Sequence, residues 1–220
     1  MPLTEDEVVK VKDALNLLSR FRGMPQFSWI EEVVTRLESK MFMKSDRKSD
    51  IISFDENLNP KIADFLEPVF NAIVNQQPLL IKYDPMGVAP ITWTIHPYHL
   101  KQYNGRWYLF GQNNDFPTAP LTTIPIDRIE SLKLAHIEFL PNDEIDFSEY
   151  FDDVVGVTIP VGVAPIKIVF RVSPSRLRHV LTKALHPSQK HRKDLGNEYF
   201  EIEVIPNPEM YSLFLSFGKD

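Results

Sequence analysis

Apolar residues recur every three to four positions over the first third of the chain and every second position beyond it. Val8, Val11, Leu15 and Leu18 form one stripe between a Thr4/Glu7 capping-box pair and a Gly23/Pro25 stop, which predicts a helix over 4–22. Ser28 and Glu31 repeat the box ahead of Ile30, Val33, Val34, Leu37 and Met41, so a second helix pairs with the first before the polar loop at 44–50. Ile62, Phe65, Leu66, Val69, Phe70 and Ile73 keep the helical spacing. Pro68 has no N–H to give, so a kink or a fresh start is expected there, with a helix from about 67 to 76.

At Leu79 the period becomes two, and strands are predicted at 79–83, 91–96, 98–103, 106–111, 121–126 and 131–135. Asp84, Pro85 and Gly87 break the first pair, Asn104-Gly105 is a strong two-residue hairpin signal, and 113–120 is a polar, proline-rich loop. So many short antiparallel strands in so little chain favour a small barrel. The tail reads as a strand at 166–172, a helix from Ser173-Pro174 to about Ala184, a short strand near 188–193, a strand at 198–205 and a helix from Pro208 to Phe217. That βαββα order is ferredoxin-like without its last strand. The fold class is therefore α+β: a helical linker region over 1–76, a barrel over 77–140, an acidic connector over 141–160 and an incomplete extension over 161–220. The early stop, and a start at a capping residue, suggest an internal piece of a longer protein.

Charge sharpens this picture. The 220 residues carry a net charge of −6, which disfavours a chain that coats nucleic acid by phosphate neutralisation alone. Yet from Arg171 to Lys193 there are seven Lys and Arg, three His and no acid, while Glu138 to Asp153 holds seven acids and no base. These are two solvated faces, or partners for each other, or a basic face for a polyanion. No cysteine is present, which removes disulfides, thiolate metal sites and a cysteine nucleophile, and suits the cytoplasm. No signal peptide or membrane span is legible. GxGxxG, P-loop, HExxH and GxSxG are all absent, and His179, His186 and His191 are spaced for no single metal, so neither enzyme nor cofactor nor metal is expected.

The hairpin Asn104-Gly105-Arg106-Trp107-Tyr108-Leu109 is followed by Asp127-Arg128-Ile129, and preceded by His96-Pro97-Tyr98-His99-Leu100. This combination resembles the WYL domain, whose namesake tripeptide stands at 107–109. The resemblance implies an Sm-like (SH3-like) barrel, a helical linker before it and an α+β extension after it, in a bacterial transcription regulator whose DNA-binding head is not in this chain. It also implies a functional arginine at Arg128. A guanidinium fork suits bidentate capture of phosphate or carboxylate; the plain alternative is that it pairs with Asp127 or Glu130 and fastens a strand end.

Around it the candidate ligand-binding residues are His96, Tyr108, Arg106 and Tyr83. His96 is a donor to an anion or a satisfied structural group, and the aromatics, with Trp107 and Tyr103, are stacking platforms or core. If Trp107 and Leu109 fill the core, Tyr108 and Arg106 face outward. Arg176, Arg178, Lys190 and Arg192 are a further anion patch. No base stands in 121–126, where the family commonly has some.

The expected function is ligand sensing and dimerisation. The effector is a nucleotide, a short nucleic acid or another small anion, and operator DNA is reached only through the absent head. The alternatives are a non-sensing dimer scaffold and a direct single-strand-binding module.

Overall fold

The structure, a computed structural model, describes residues 61–118 and 121–219. The helical hairpin expected over 4–41 lies outside them. The described chain forms two units, one of 61–117 with 124–140, the other of 141–219 with the short stretch 118–123.

In the first unit α1 (Lys61–Val74) continues through Pro68 rather than starting beside it. A mid-helix proline forfeits one backbone bond, at a cost of about 3 kcal/mol. Here Asp64 and Pro68 both face solvent, where water can take up the freed carbonyl, and the extra turn brings Phe65 and Leu66 onto the core. The strands that follow are β1 (Leu79–Tyr83), β2 (Ile91–Tyr103), β3 (Arg106–Asn113), β4 (Thr122–Pro125) and β5 (Ile129–Leu134), with a 3₁₀ turn over Ile126–Arg128 between the last two. Period-two patterning sends Leu79, Ile81 and Tyr83 inward and leaves Leu80 and Lys82 outside.

Where two strands were expected across Pro97 there is one, because the proline sits at a bulge where the register with β3 shifts between Pro97 and His99. Asn104 and Gly105 take the left-handed conformation (φ 48° and 75°) that a primed hairpin turn requires.

The expectation of a closed barrel is overturned. The sheet is open, with order β4-β3-β2-β1-β5, and among the described residues no ladder joins its edges. Five strands laid flat would separate the edges by roughly 19 Å, while the chain from Pro125 to Ile129 reaches at most about 14 Å. The sheet must therefore curl, yet β4 and β5 share no ladder and it stays open. Neither the Sm-like nor the SH3-like barrel of the expectation is formed.

The second unit holds β6 (Ile166–Arg171), α2 (Pro174–Thr182), β7 (Lys190–His191), β8 (Tyr199–Val204) and α3 (Pro208–Leu215). Its antiparallel sheet has the order β6-β8-β7, with Val172, Val180 and Phe200 at the centre of its core. The acidic stretch belongs to this unit and is anchored by buried Val154, Val155 and Val157. Asn207 ties it down. Its Oδ1 accepts from Met210 N–H at 2.8 Å to cap α3, and its Nδ2 donates to the carbonyls of Val155 and Thr158, each at 2.8 Å.

Candidate functional site

The 3₁₀ turn that bridges the sheet edges also carries Asp127 and Arg128. Its ends are held by buried Ile126 and Ile129, and Asp84 N–H donates to the Arg128 carbonyl at 3.0 Å, so the backbone here is pinned while the side chains project. Both acids beside Arg128 are already committed. Asp127 pairs with Arg106 at 3.1 Å, and Glu130 with Lys82 at 2.7 Å. Arg128, partly exposed, has no hydrogen-bond or ion-pair partner for its guanidinium among the described residues. The pairing with Asp127 or Glu130 that would make it a strand fastener is not formed. Asp127 adds a second feature, since its Oδ1 is buried with no hydrogen-bond partner. The chemistry available at the turn is thus an unpaired planar cation beside an acceptor that lacks a donor.

Of the other expected residues, Tyr83 lies next to the turn, in register with Ile129, but it is buried and stacks on Trp93 at a centroid distance of 5.3 Å. Its phenol ring serves the core. Leu109 is fully buried and Trp107 packs against the same core, so Tyr108 takes the opposite face, as the alternation requires.

His96 is elsewhere. It faces Gln112, six positions along β3 from Arg106, which at a strand's rise is about 20 Å away. Its Nδ1 accepts from Leu140 N–H at 3.0 Å, and Phe139 lies edge-on to the ring at 5.8 Å. Burial holds its pKa below the ordinary value, against a hydrogen bond with Asn114 that raises it. A neutral ring with a bonded Nδ1 is a structural acceptor in this fold.

Of the expected anion patch in the second unit, Arg176 and Arg178 stand on α2, Lys190 on β7, and Arg192 just after it. Arg192 is locked by Asp194 at 2.7 Å and by Glu201, while Arg178 and Lys190 stand exposed on different elements. Sequence reasoning missed Lys82, which reaches Glu130 because β1 and β5 pair side by side, and the Arg106–Asp127 pair, which forms between β3 and the turn; neither neighbour relation has a local signal. Among the described residues no group of His, Cys, Asp and Glu could hold a metal ion, and no helix is long and apolar enough to cross a membrane.

Residues 64–134 match the family described as the WYL domain. Among curated proteins none matches the chain. Similar solved structures include the proteasome accessory factor B/C (PafBC) of Arthrobacter aurescens, at 14% identity and TM-score 0.35, over 74% of this chain and 24% of that one. Another is a CRISPR Cas-related protein, at 14% identity and TM-score 0.30, over 72% of this chain and 46% of that one. The chain thus spans less than half the length of either. Residue roles rest on its own geometry.

Proposed function

From the match of residues 64–134 to the WYL domain, we infer that the turn at 126–128 is an effector grip for a small anion, with Arg128 as its cation. The observation that supports this is the partly exposed Arg128 guanidinium left without a partner while both flanking acids are engaged. An unpaired fork on a pinned backbone loses little entropy on meeting a phosphate or carboxylate. Arg106, held by Asp127, lines the same turn, and Tyr108 offers an outward ring. In this reading the chain is the cytoplasmic sensing and dimerisation region of a bacterial transcription regulator. The effector, a nucleotide or short single strand, shifts the protein between arrangements that a DNA-binding domain outside this chain reads as operator affinity.

Calorimetric titration of the chain and of Arg128→Ala with mononucleotides and short oligonucleotides tests it. Saturable binding should weaken about ten-fold or more in the variant. Equal binding by a folded variant would sink the grip. Absence of base from 121–126 favours a second reading, a dimer scaffold that senses nothing. In that case neither protein binds a ligand, and Arg128→Ala shifts the monomer–dimer balance instead.

A further inference from the structure

The second unit carries a concave surface that the WYL match, which ends at residue 134, does not include. One cavity of about 310 Å³ lies against Phe170, Val172, Leu185, Phe214 and Phe217, with Arg171 and Lys219 at its rim. A neighbouring one of about 280 Å³ shares Leu185 and Phe217 as a common wall and is bordered by Arg176, His179 and Lys183. Phe170 meets Phe214 edge to face at 5.3 Å, so the first cavity presents ring faces and edges rather than a flat aliphatic floor.

No acid lines either cavity, although the chain as a whole carries a net charge of −6. Arg171, Lys183 and Lys219 have no ion-pair partner among the described residues. The dipole of α2 accounts for bases in its last turn, such as His179, and at the Lys183 that follows. It does not account for Arg171 on β6 or Lys219 beyond α3, so two cations from separate elements border the first, aromatic cavity, and Lys183 borders its neighbour. The first cavity stands at the lower end of the size range of small-molecule sites.

We propose that the first cavity binds a small organic anion with a ring-bearing apolar body, the body seated against Phe170, Phe214 and Phe217 and the acid group held by Arg171 and Lys219 at its rim. Apolar burial supplies affinity, and the unpaired bases select for negative charge.

The full chain should be titrated with 8-anilinonaphthalene-1-sulfonate and, in parallel, with the neutral N-phenyl-1-naphthylamine, following the rise in dye fluorescence. The anionic dye should saturate a single site and bind about ten-fold more tightly than the neutral one. Arg171→Glu and Lys219→Glu should each abolish that preference while the neutral dye still binds, and Lys219→Gln should weaken it with the fold intact by circular dichroism. Arg128→Ala should leave it unchanged, which separates this site from the turn in the first unit. Equal binding of the two dyes, or a preference that survives both charge reversals, would overturn the proposal. So would displacement of the dye on raising the protein concentration, which would assign the cavity to a second copy of the chain.

Discussion

Single residues in this protein do work that their type alone does not announce. Asn207 is 2% exposed and satisfies three backbone groups at once, one N–H of α3 and two carbonyls of the acidic stretch. Asn207→Ala should therefore cost more than a lost cap, roughly 2–4 kcal/mol, because two carbonyls lose their donor. Asn207→Asp should recover part of that by keeping the cap acceptor, and urea denaturation of the three proteins would rank them.

His96 makes the opposite point about charge. An unfolded chain protonates it near the usual 6.5, while burial makes the folded chain resist to lower pH, so stability is full above that value and falls as the pH drops below it. Burial lowers His99 and His186 in the same direction. The melting temperature should fall between about pH 7 and 5, and more shallowly in His96→Gln, whose amide can still accept from Leu140; a flat profile in the wild type would contradict the assignment. The pattern put His96 and Pro97 at a strand end, whereas they stand inside β2. That the ring is a buried acceptor was not legible, since Leu140 lies 44 positions away.

At the scale of elements, β2 and β3 depend on a single missing side chain. Gly111 faces Pro97 across the ladder, and a Cβ there would strike the His96 carbonyl and come within 2.8 Å of the Ile95 side chain. The bulge that accommodates the proline is what brings the backbones so close. Gly111→Ala should destabilise the protein by about 1–3 kcal/mol, visible as a lower denaturation midpoint at an unchanged slope. The 3₁₀ turn is the other element on which the site depends. Asp127-Arg128-Ile129 could be picked out as a motif, but the helical winding of three residues between two strands has no period to betray it. The same limit explains α1, where the proline outweighed in the pattern what Phe65 and Leu66 contribute in the fold.

Among the described residues each unit has an apolar core made of its own side chains. Ile81→Ala empties the first and Phe200→Ala the second, each costing roughly 2–5 kcal/mol. Hydrogen exchange should lose protection mainly in β1, β2 and β5 for Ile81→Ala and in β6, β7 and β8 for Phe200→Ala; loss spread evenly over both sheets in either variant would show that the cores do not melt as units. The sequence by itself determined the α+β class, the position of nearly every strand, the hairpin at Asn104-Gly105 and the motif around Arg128, because these follow from local periodicity and turn chemistry. Only the tertiary structure decided that the first sheet stays open, that Arg106 and Lys82 engage the acids flanking Arg128, and that His96 stands about 20 Å from Arg106. Those outcomes depend on which edges meet when a twisted sheet curls and on which charge reaches which, and both are set by contacts between residues far apart in the chain.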